Sequence, residues 1–328
     1  MSDLRAGVVG LGMMGRHHVR ALKELSGVEL VAVHDEGLAA DEFAGVRNTS
    51  SLQELIAMGV DYCVVAVPTG SHAEVGVTLA DARVSALIEK PIAESVEEAR
   101  SLCAAFDRAE VVGAVGHIER FNAAVREMRR RIADGQIGEV FQIATRRQGP
   151  FPGRIADVGV VKDLATHDID LTAWIAGHDY ADVAARTTWR AGRSHEDVLV
   201  AVGVLEGGAL VSHTINWLTP FKERSVTVLG EGGALVANTL TSDLTFYANG
   251  STPSAWDQMA TFRGVAEGEV VRYAFEKREP LMVEHEAFRD AVAGSDSNGI
   301  VTLREGSRVL ELAELMISDG LATRSRLS

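Results

Sequence analysis

The stretch Gly10-Leu11-Gly12-Met13-Met14-Gly15 follows an apolar run, Ala6 to Val9, and precedes a helical pattern from about Met14 to Leu25. A GxGxxG spacing between a strand and a helix is the setting of a dinucleotide site. Gly10 permits the tight turn, Gly12 lets the backbone approach a diphosphate, and Gly15 lets the helix pack closely on the strand. The N–H groups at the helix start, from Met13 and Met14 onward, then meet negative charge. Asp35 ends the next strand, Val28 to Val33, at the distance from Gly15 where a carboxylate hydrogen-bonds the adenosine ribose. It would repel the 2′-phosphate of NADP, and no Arg lies between His34 and Val46 to receive one. The expected cofactor is NAD.

Outward from this turn, strand and helix patterns alternate to residue 118. Asp61 to Val67, Ser85 to Ile88 and Val111 to Val115 read as further strands. Ser51-Leu52-Gln53-Glu54 and Ser95-Val96-Glu97-Glu98 have the spacing of capping boxes. Strands apolar on both faces and alternating with helices imply a parallel sheet covered on both sides, hence a doubly wound α/β Rossmann domain over 1–118. Pro68 and Thr69 close the third strand and His72 opens the next helix. Ligands bind beyond the carboxyl ends of such strands, so all three are candidate cofactor-lining residues. His72 reads equally as a helix-start residue without a ligand.

After residue 118 the pattern changes. Helices are expected over Asn122 to Ala133 and Lys162 to Ile175. Strand-like runs then follow one another from Val183 to Phe275, with Gly and Asn at their turns. Residues 119–328 read as an α+β domain with an open-faced, largely antiparallel sheet, closed by helices over Met282 to Val292 and Leu303 to Ile317. The tail Thr323 to Ser328 is expected to be mobile. An uncovered sheet face is an apolar patch in a monomer, so a homodimer or homotetramer is expected through it.

Two places carry chemistry. Glu89-Lys90-Pro91 ends a strand of the first sheet, where Lys90 can donate to a substrate hydroxyl or a developing carbonyl oxygen. A solvated lysine before a turn is the plain alternative. In Asp163-Leu164-Ala165-Thr166-His167-Asp168-Ile169-Asp170, Asp163 and His167 are four apart and share one helix face. Asp163 can orient the imidazole while His167 takes a proton from an alcohol. An ordinary helical ion pair reads the same way. Asp163, His167 and Asp170 are all potential metal ligands, but no second cluster accompanies them, so no metal is expected.

The 328 residues suffice for about two domains. The net charge is −14, which argues against non-specific nucleic-acid binding. It leaves room for an anionic substrate held by local cations. Cys63 and Cys103 match no zinc pattern and read as two buried thiols in a reducing, cytoplasmic setting. No secretory signal and no membrane-spanning run is visible.

With these residues in view, the chain resembles the Gfo/Idh/MocA oxidoreductases. The resemblance rests, in order, on Gly10 to Gly15, Glu89-Lys90-Pro91, Gly116-His117-Ile118-Glu119-Arg120-Phe121-Asn122 and Asp163 to Asp170. It departs at Ala123, where many members have proline. It implies a Rossmann domain, an open-faced second sheet, and a site between them in which Lys90, Asp163 and His167 carry the chemistry, with Glu89 near the cofactor and Arg120 and Asn122 near the substrate. A narrower resemblance, to the nucleotide-sugar branch that includes UDP-N-acetylglucosamine 3-dehydrogenases, rests on residues 149–163 and 216–224. It implies oxidation of a sugar 3-hydroxyl by NAD, with Arg154, Lys162, Lys222 and Arg224 as cations for a diphosphate. Trp217 reads as a sugar platform or a core aromatic. Alternatives are a dehydrogenase of a free sugar or inositol, a sugar-sensing regulator without turnover, and a redox-assisted glycosidase.

Overall fold

The structure, a computed structural model, describes residues 3–38, 41–153, 158–192, 194–250, 268–295 and 299–327. The chain divides into two compact units, Met1–Phe121 with Glu279–Glu311 and Asn122–Arg278 with Leu312–Ser328.

The first unit holds β1 (Leu4–Val9), α1 (Met13–Glu24), β2 (Val28–His34), β3 (Glu42–Phe43), β4 (Val46–Thr49), α2 (Leu52–Ala57), β5 (Tyr62–Val65), α3 (His72–Asp81), β6 (Ser85–Glu89), α4 (Val96–Ala109) and β7 (Gly113–Gly116). β5 and β6 are buried along their whole length, as strands covered on both faces must be. Side chains of Leu22, Val64 and Phe288 pack on one side, and those of Leu79, Ile88 and Leu102 belong to a second apolar cluster. The Ser95 hydroxyl accepts the Glu98 N–H at 3.3 Å and the Glu98 carboxylate accepts the Ser95 N–H at 3.1 Å, closing the capping box that starts α4. At α2 only half a box forms: Ser51 accepts from Glu54, but the Glu54 carboxylate turns to the Ser50 N–H.

One boundary differs from the sequence expectation. β16 (Val301–Thr302) pairs antiparallel with β7, Val301 opposite Val115. The sheet order is therefore β16-β7-β6-β5-β1-β2-β4-β3. Residues 119–328 do not form a continuous second domain. Residues 279–311, with α7 (Pro280–Val292), return to the first unit, and the boundary falls after Phe121. Burying Phe288 and Val301 in the apolar clusters of the first sheet is the physical reason.

The second unit holds α5 (Ala123–Ala133), β8 (Val140–Pro150), α6 (Thr166–Ala176), β9 (Tyr180–Thr188), β10 (Val198–Leu205), β11 (Leu210–Asn216), β12 (Leu218–Gly230), β13 (Gly233–Asn238), β14 (Asp243–Ala248) and β15 (Val270–Arg272). The order is β15-β14-β13-β12-β8-β11-β10-β9, antiparallel except where β8 meets β11. Ile143, Val211, Val226 and Val228 point into a core with Val125 of α5 and Leu171 of α6. The alternate positions Val200, Val202, Leu210, Leu229 and Tyr247 are exposed. Period-two alternation thus gives a sheet with one face under helices and the other bare. The last helix, α8 (Leu303–Leu327), runs through most of the tail expected to be mobile, and Ser328 lies outside the described residues. Among the described residues no helix is long and apolar enough to cross a membrane, and no group of three or more His, Cys, Asp or Glu could hold a metal ion. Cys63 is buried and Cys103 only half-buried.

Candidate functional site

In the first sheet the chain builds outward from β1 to β2 on one side and to β5 on the other, so the strand order reverses at β1/β5. A cavity of about 670 Å³ lies at the carboxyl ends of these strands, where open α/β sheets bind ligands. Gly10, Gly12, Asp35 and Pro68 all line it. Met13 and Met14 open α1 beside it, Met13 half-exposed.

Each glycine has a distinct geometric reason. Gly10 has φ +91°, and a Cβ there would stand 2.5 Å from the Ala66 carbonyl oxygen. A Cβ on Gly15 would collide with the Gly10 carbonyl, so the helix could not close on the turn. At Gly12 a Cβ would meet nothing within 4 Å: that backbone faces open space. α1 starts at Gly12 with no side-chain cap, which leaves its first-turn N–H groups directed toward an anion. The Asp35 carboxylate accepts the Leu11 N–H at 2.6 Å and the Gly37 N–H at 2.9 Å, one on each oxygen. Each oxygen keeps a second lone pair for a ribose hydroxyl. These residues fit a dinucleotide. Ser50, Ser51, Gln53, Glu74 and Thr78 also line the cavity. Sequence reading missed them as lining; the Ser51 signal was there, but only as a helix cap.

Thr69 begins a short turn after Pro68, and neither Thr69 nor His72 lines this cavity. The His72 ring is buried, its Nδ1 2.8 Å from the Pro91 carbonyl oxygen and its Nε2 3.0 Å from that of Val67. Its ring therefore joins two strand exits, an arrangement in keeping with the alternative reading of a helix-start residue without a ligand.

Lys90 is half-buried at the exit of β6, and the Lys90–Pro91 peptide is cis. Glu89 is buried and points inward: one carboxylate oxygen accepts the Lys90 N–H at 3.0 Å, the other lies 2.9 Å from His18 Nε2. Burial raises the Glu89 pKa, but the hydrogen bond from His18, together with Lys90, outweighs it and holds the carboxyl below its ordinary range. Arg120 is buried and ion-paired with Glu305 at 3.0 Å. It fastens the start of α8, where Glu305 also accepts the Thr302 N–H.

In the second unit Asn122 is likewise buried. Its Oδ1 caps α5 through the Ala124 N–H at 3.1 Å and its Nδ2 donates to the Thr239 carbonyl at 2.9 Å. Both ends of the amide bond backbone groups. Asp163 and His167 do not sit on one regular α-helix. Val161–Ala165 forms a π-helical turn that runs into α6, so Asp163 lies on the wide turn and His167 on the first α turn. Single π turns recur at functional sites because they re-aim side chains. Asp163 is buried and His167 half-buried. Glu196, itself buried, accepts the Val161 N–H at 3.0 Å and so anchors the turn; a Cβ on Gly159 would collide with its carboxylate. Beneath α6, Arg147 Nε reaches Asp168 Oδ1 at 2.9 Å, both residues almost wholly buried.

Of the expected cations, Lys162 pairs with Glu314 at 3.3 Å, Arg224 is half-buried, and Lys222 is exposed with its stem against Gly149. Arg154 lies outside the described residues. Trp217 is buried edge-on against Phe151, ring centroids 5.3 Å apart, a core aromatic.

Known proteins agree with this assembly. Residues 4–117 match the family described as "Oxidoreductase family, NAD-binding Rossmann fold", and residues 125–236 match the "GFO/IDH/MocA C-terminal domain". The chain is 29% identical over 299 residues to UDP-N-acetylglucosamine 3-dehydrogenase of Acidithiobacillus ferrooxidans, covering 89% of this chain and 90% of that protein. A solved structure of that enzyme, GnnA, superposes with a TM-score of 0.83 at 26% identity, covering 97% and 98% of the two chains. Inositol 2-dehydrogenase 2 of Saccharopolyspora erythraea is 32% identical over 224 residues, 63% of this chain and 65% of that one. The WlbA dehydrogenase of Bordetella pertussis, solved with NADH and UDP-GlcNAcA, shares the fold at a TM-score of 0.80 and 23% identity, covering 98% and 96%. With a glycine turn that fits a dinucleotide, a carboxylate at the end of the neighbouring strand and both domains matched, the chain belongs to the Gfo/Idh/MocA family of NAD-dependent oxidoreductases.

Proposed function

We propose that the protein oxidises the 3-hydroxyl of a UDP-N-acetylhexosamine to a ketone, using NAD. The observation that carries this reading is the similarity to a UDP-N-acetylglucosamine 3-dehydrogenase along nearly the whole chain rather than over one domain. The chemistry is assigned to three side chains. His167 takes the hydroxyl proton, Asp163 holds the imidazole, and Lys90 donates to the oxygen as it becomes a carbonyl. Bound NAD supplies the hydride acceptor at its nicotinamide ring. Gly10, Gly12 and Asp35 hold the dinucleotide, and Lys222, exposed in the segment that resembles the nucleotide-sugar branch, is assigned to the substrate diphosphate.

The bare face of the second sheet, with Val200, Val202, Leu210 and Tyr247, is assigned to contact with a second copy of the chain. Two cysteines without a disulfide fit a reducing cytoplasm.

The test is a panel of UDP-sugars, free sugars and inositols with NAD, read by NADH absorbance. Net NADH from UDP-N-acetylglucosamine or its epimers supports the proposal. Turnover of inositol alone favours a polyol dehydrogenase, a reading supported by the 32% identity to an inositol 2-dehydrogenase. Sugar binding without net NADH, with or without glycoside cleavage, refutes a dehydrogenase.

A further inference from the structure

Three buried side chains from distant parts of the first unit form one hydrogen-bonded row. His285, on α7, places Nε2 2.9 Å from His18 Nδ1, on α1. His18 places Nε2 2.9 Å from Glu89 Oε1, at the end of β6. Glu89 Oε2 accepts the Lys90 N–H at 3.0 Å. Both imidazoles are fully buried, their rings edge-to-face with centroids 5.0 Å apart. The far end of the row is closed: His285 Nδ1 is buried with no hydrogen-bond partner among the described residues.

That closed end fixes every proton. A neutral imidazole has one N–H and one bare nitrogen. A proton on His285 Nδ1 would be a buried donor with nothing to accept it, at a cost of about 1–3 kcal/mol. The favoured proton therefore sits on His285 Nε2, which donates to His18 Nδ1. His18 must then carry its own proton on Nε2 and donate to Glu89. The carboxylate, anionic, accepts from His18 on one oxygen and from the Lys90 backbone on the other. One arrangement satisfies the whole row. Burial keeps the His285 ring neutral, well below its ordinary titration range, which agrees with that arrangement.

We propose that His18 and His285 are positioning residues for Lys90: with Glu89 they form a single-tautomer relay that locks the carboxylate on which the Lys90 peptide rests. Lys90 leaves the strand immediately after this anchor, so the anchor sets the direction in which its side chain departs. The inference rests on the reading that Lys90 donates to the substrate hydroxyl, and the experiment separates the two.

In the wild-type chain labelled with ¹⁵N-histidine, long-range proton–nitrogen spectra at neutral pH are expected to show His18 and His285 as Nε2–H tautomers, with a bare Nδ1 on His285. Assignment comes from His18→Gln and His285→Gln. A charged ring or the opposite tautomer at His285 overturns the relay. The second readout needs no substrate: reductive methylation with formaldehyde, followed at each lysine by mass spectrometry. His285→Leu, which removes the donor to His18, is expected to change the labelling rate of Lys90 severalfold while Lys23 and Lys277 keep theirs. His285→Gln, which restores a donor, is expected to restore the Lys90 rate. An unchanged Lys90 rate in His285→Leu, or an equal change at all lysines, overturns the positioning role. Full turnover of UDP-N-acetylglucosamine by Lys90→Met would instead refute the reading of Lys90 and leave the relay standing.

Discussion

Lowering the pH from about 7.5 to about 5 should weaken the second unit through His213. This ring is fully buried in β11, between the Thr145 hydroxyl at 2.7 Å and the Tyr180 hydroxyl at 2.9 Å. Two hydroxyls satisfy a neutral imidazole, one accepting from its N–H and one donating to its bare nitrogen. Burial pulls its pKa from 6.5 down to about 4, against a smaller upward pull from Asp168. Between those values the unfolded chain binds a proton that the folded chain does not, so stability rises with pH there. The contribution is intact above the unfolded value, is lost as pH falls through the window, and is fully gone below the folded value. The difference of pKa corresponds to about 3 kcal/mol in total, of which about 2 kcal/mol is lost by pH 5. Trp174, Trp189 and Trp217 lie in the second unit and the sequence of the first unit holds no tryptophan, so urea unfolding followed by tryptophan fluorescence reports on the right part of the chain. His213→Gln keeps a donor and an acceptor but does not titrate. It should lose about 2 kcal/mol less than the wild type over the same pH interval. Buried His72 and His285 contribute to both proteins and cancel in the difference. Equal losses in the two proteins would refute the placement of a neutral, buried His213.

Three further outcomes follow from the same geometry. Arg147→Met strands the Asp168 carboxylate and should cost about 3–5 kcal/mol in urea, whereas the pair Arg147→Met with Asp168→Leu should recover most of it; a double variant as weak as the single one would contradict the pairing. Asp35→Ser removes an anionic acceptor at the ribose position and should raise the NAD dissociation constant by about 10- to 100-fold while narrowing the preference over NADP, by titration calorimetry with both cofactors; an undiminished preference for NAD would move selectivity elsewhere. His167→Asn should lower kcat by about 10²- to 10⁴-fold while NAD affinity, measured by fluorescence quenching, stays unchanged; ordinary turnover would end its role as base.

Much of the first unit was legible because its information is local. β1, β2, β5 and β6 announce themselves as apolar runs, and the glycine turn carries its own context. What escaped was held by pairing over long distances. β16 is two residues long and exists because Val301 meets Val115 at the sheet edge, a partner no periodicity reveals. β3, at the other edge, and β4 beside it are too brief for alternation to register. The π turn at Val161–Ala165 escaped for another reason: a four-residue spacing reads the same on a regular helix and beside a widened turn. The relay from His285 to Glu89 joins side chains from three separate segments, and His18 carried no local signal of it.

Three buried polar residues among the candidates share a physical role. Arg120 and Asn122 were candidates through the family resemblance, and His72 through its place beyond the carboxyl end of a strand. Yet a buried polar group must be satisfied wherever it lies, and the nearest unsatisfied partners are the backbone groups at helix starts and strand exits. Asn122 stands directly before an alternating helical run and caps it. His72 bridges the carbonyls where two strands end. Arg120 faces Glu305 in the first turn of α8. Each holds a helix start or a strand exit in place. Lys90 and His167, half-buried, differ in keeping an accessible side. Within such a motif, full burial marks the residues that shape the site and partial burial those that can meet a substrate. Under the proposed function, that criterion leaves Lys90 of the first unit and His167 of the second as the side chains able to meet a substrate, with Glu89 and Asp163, both buried, as the support assigned to each.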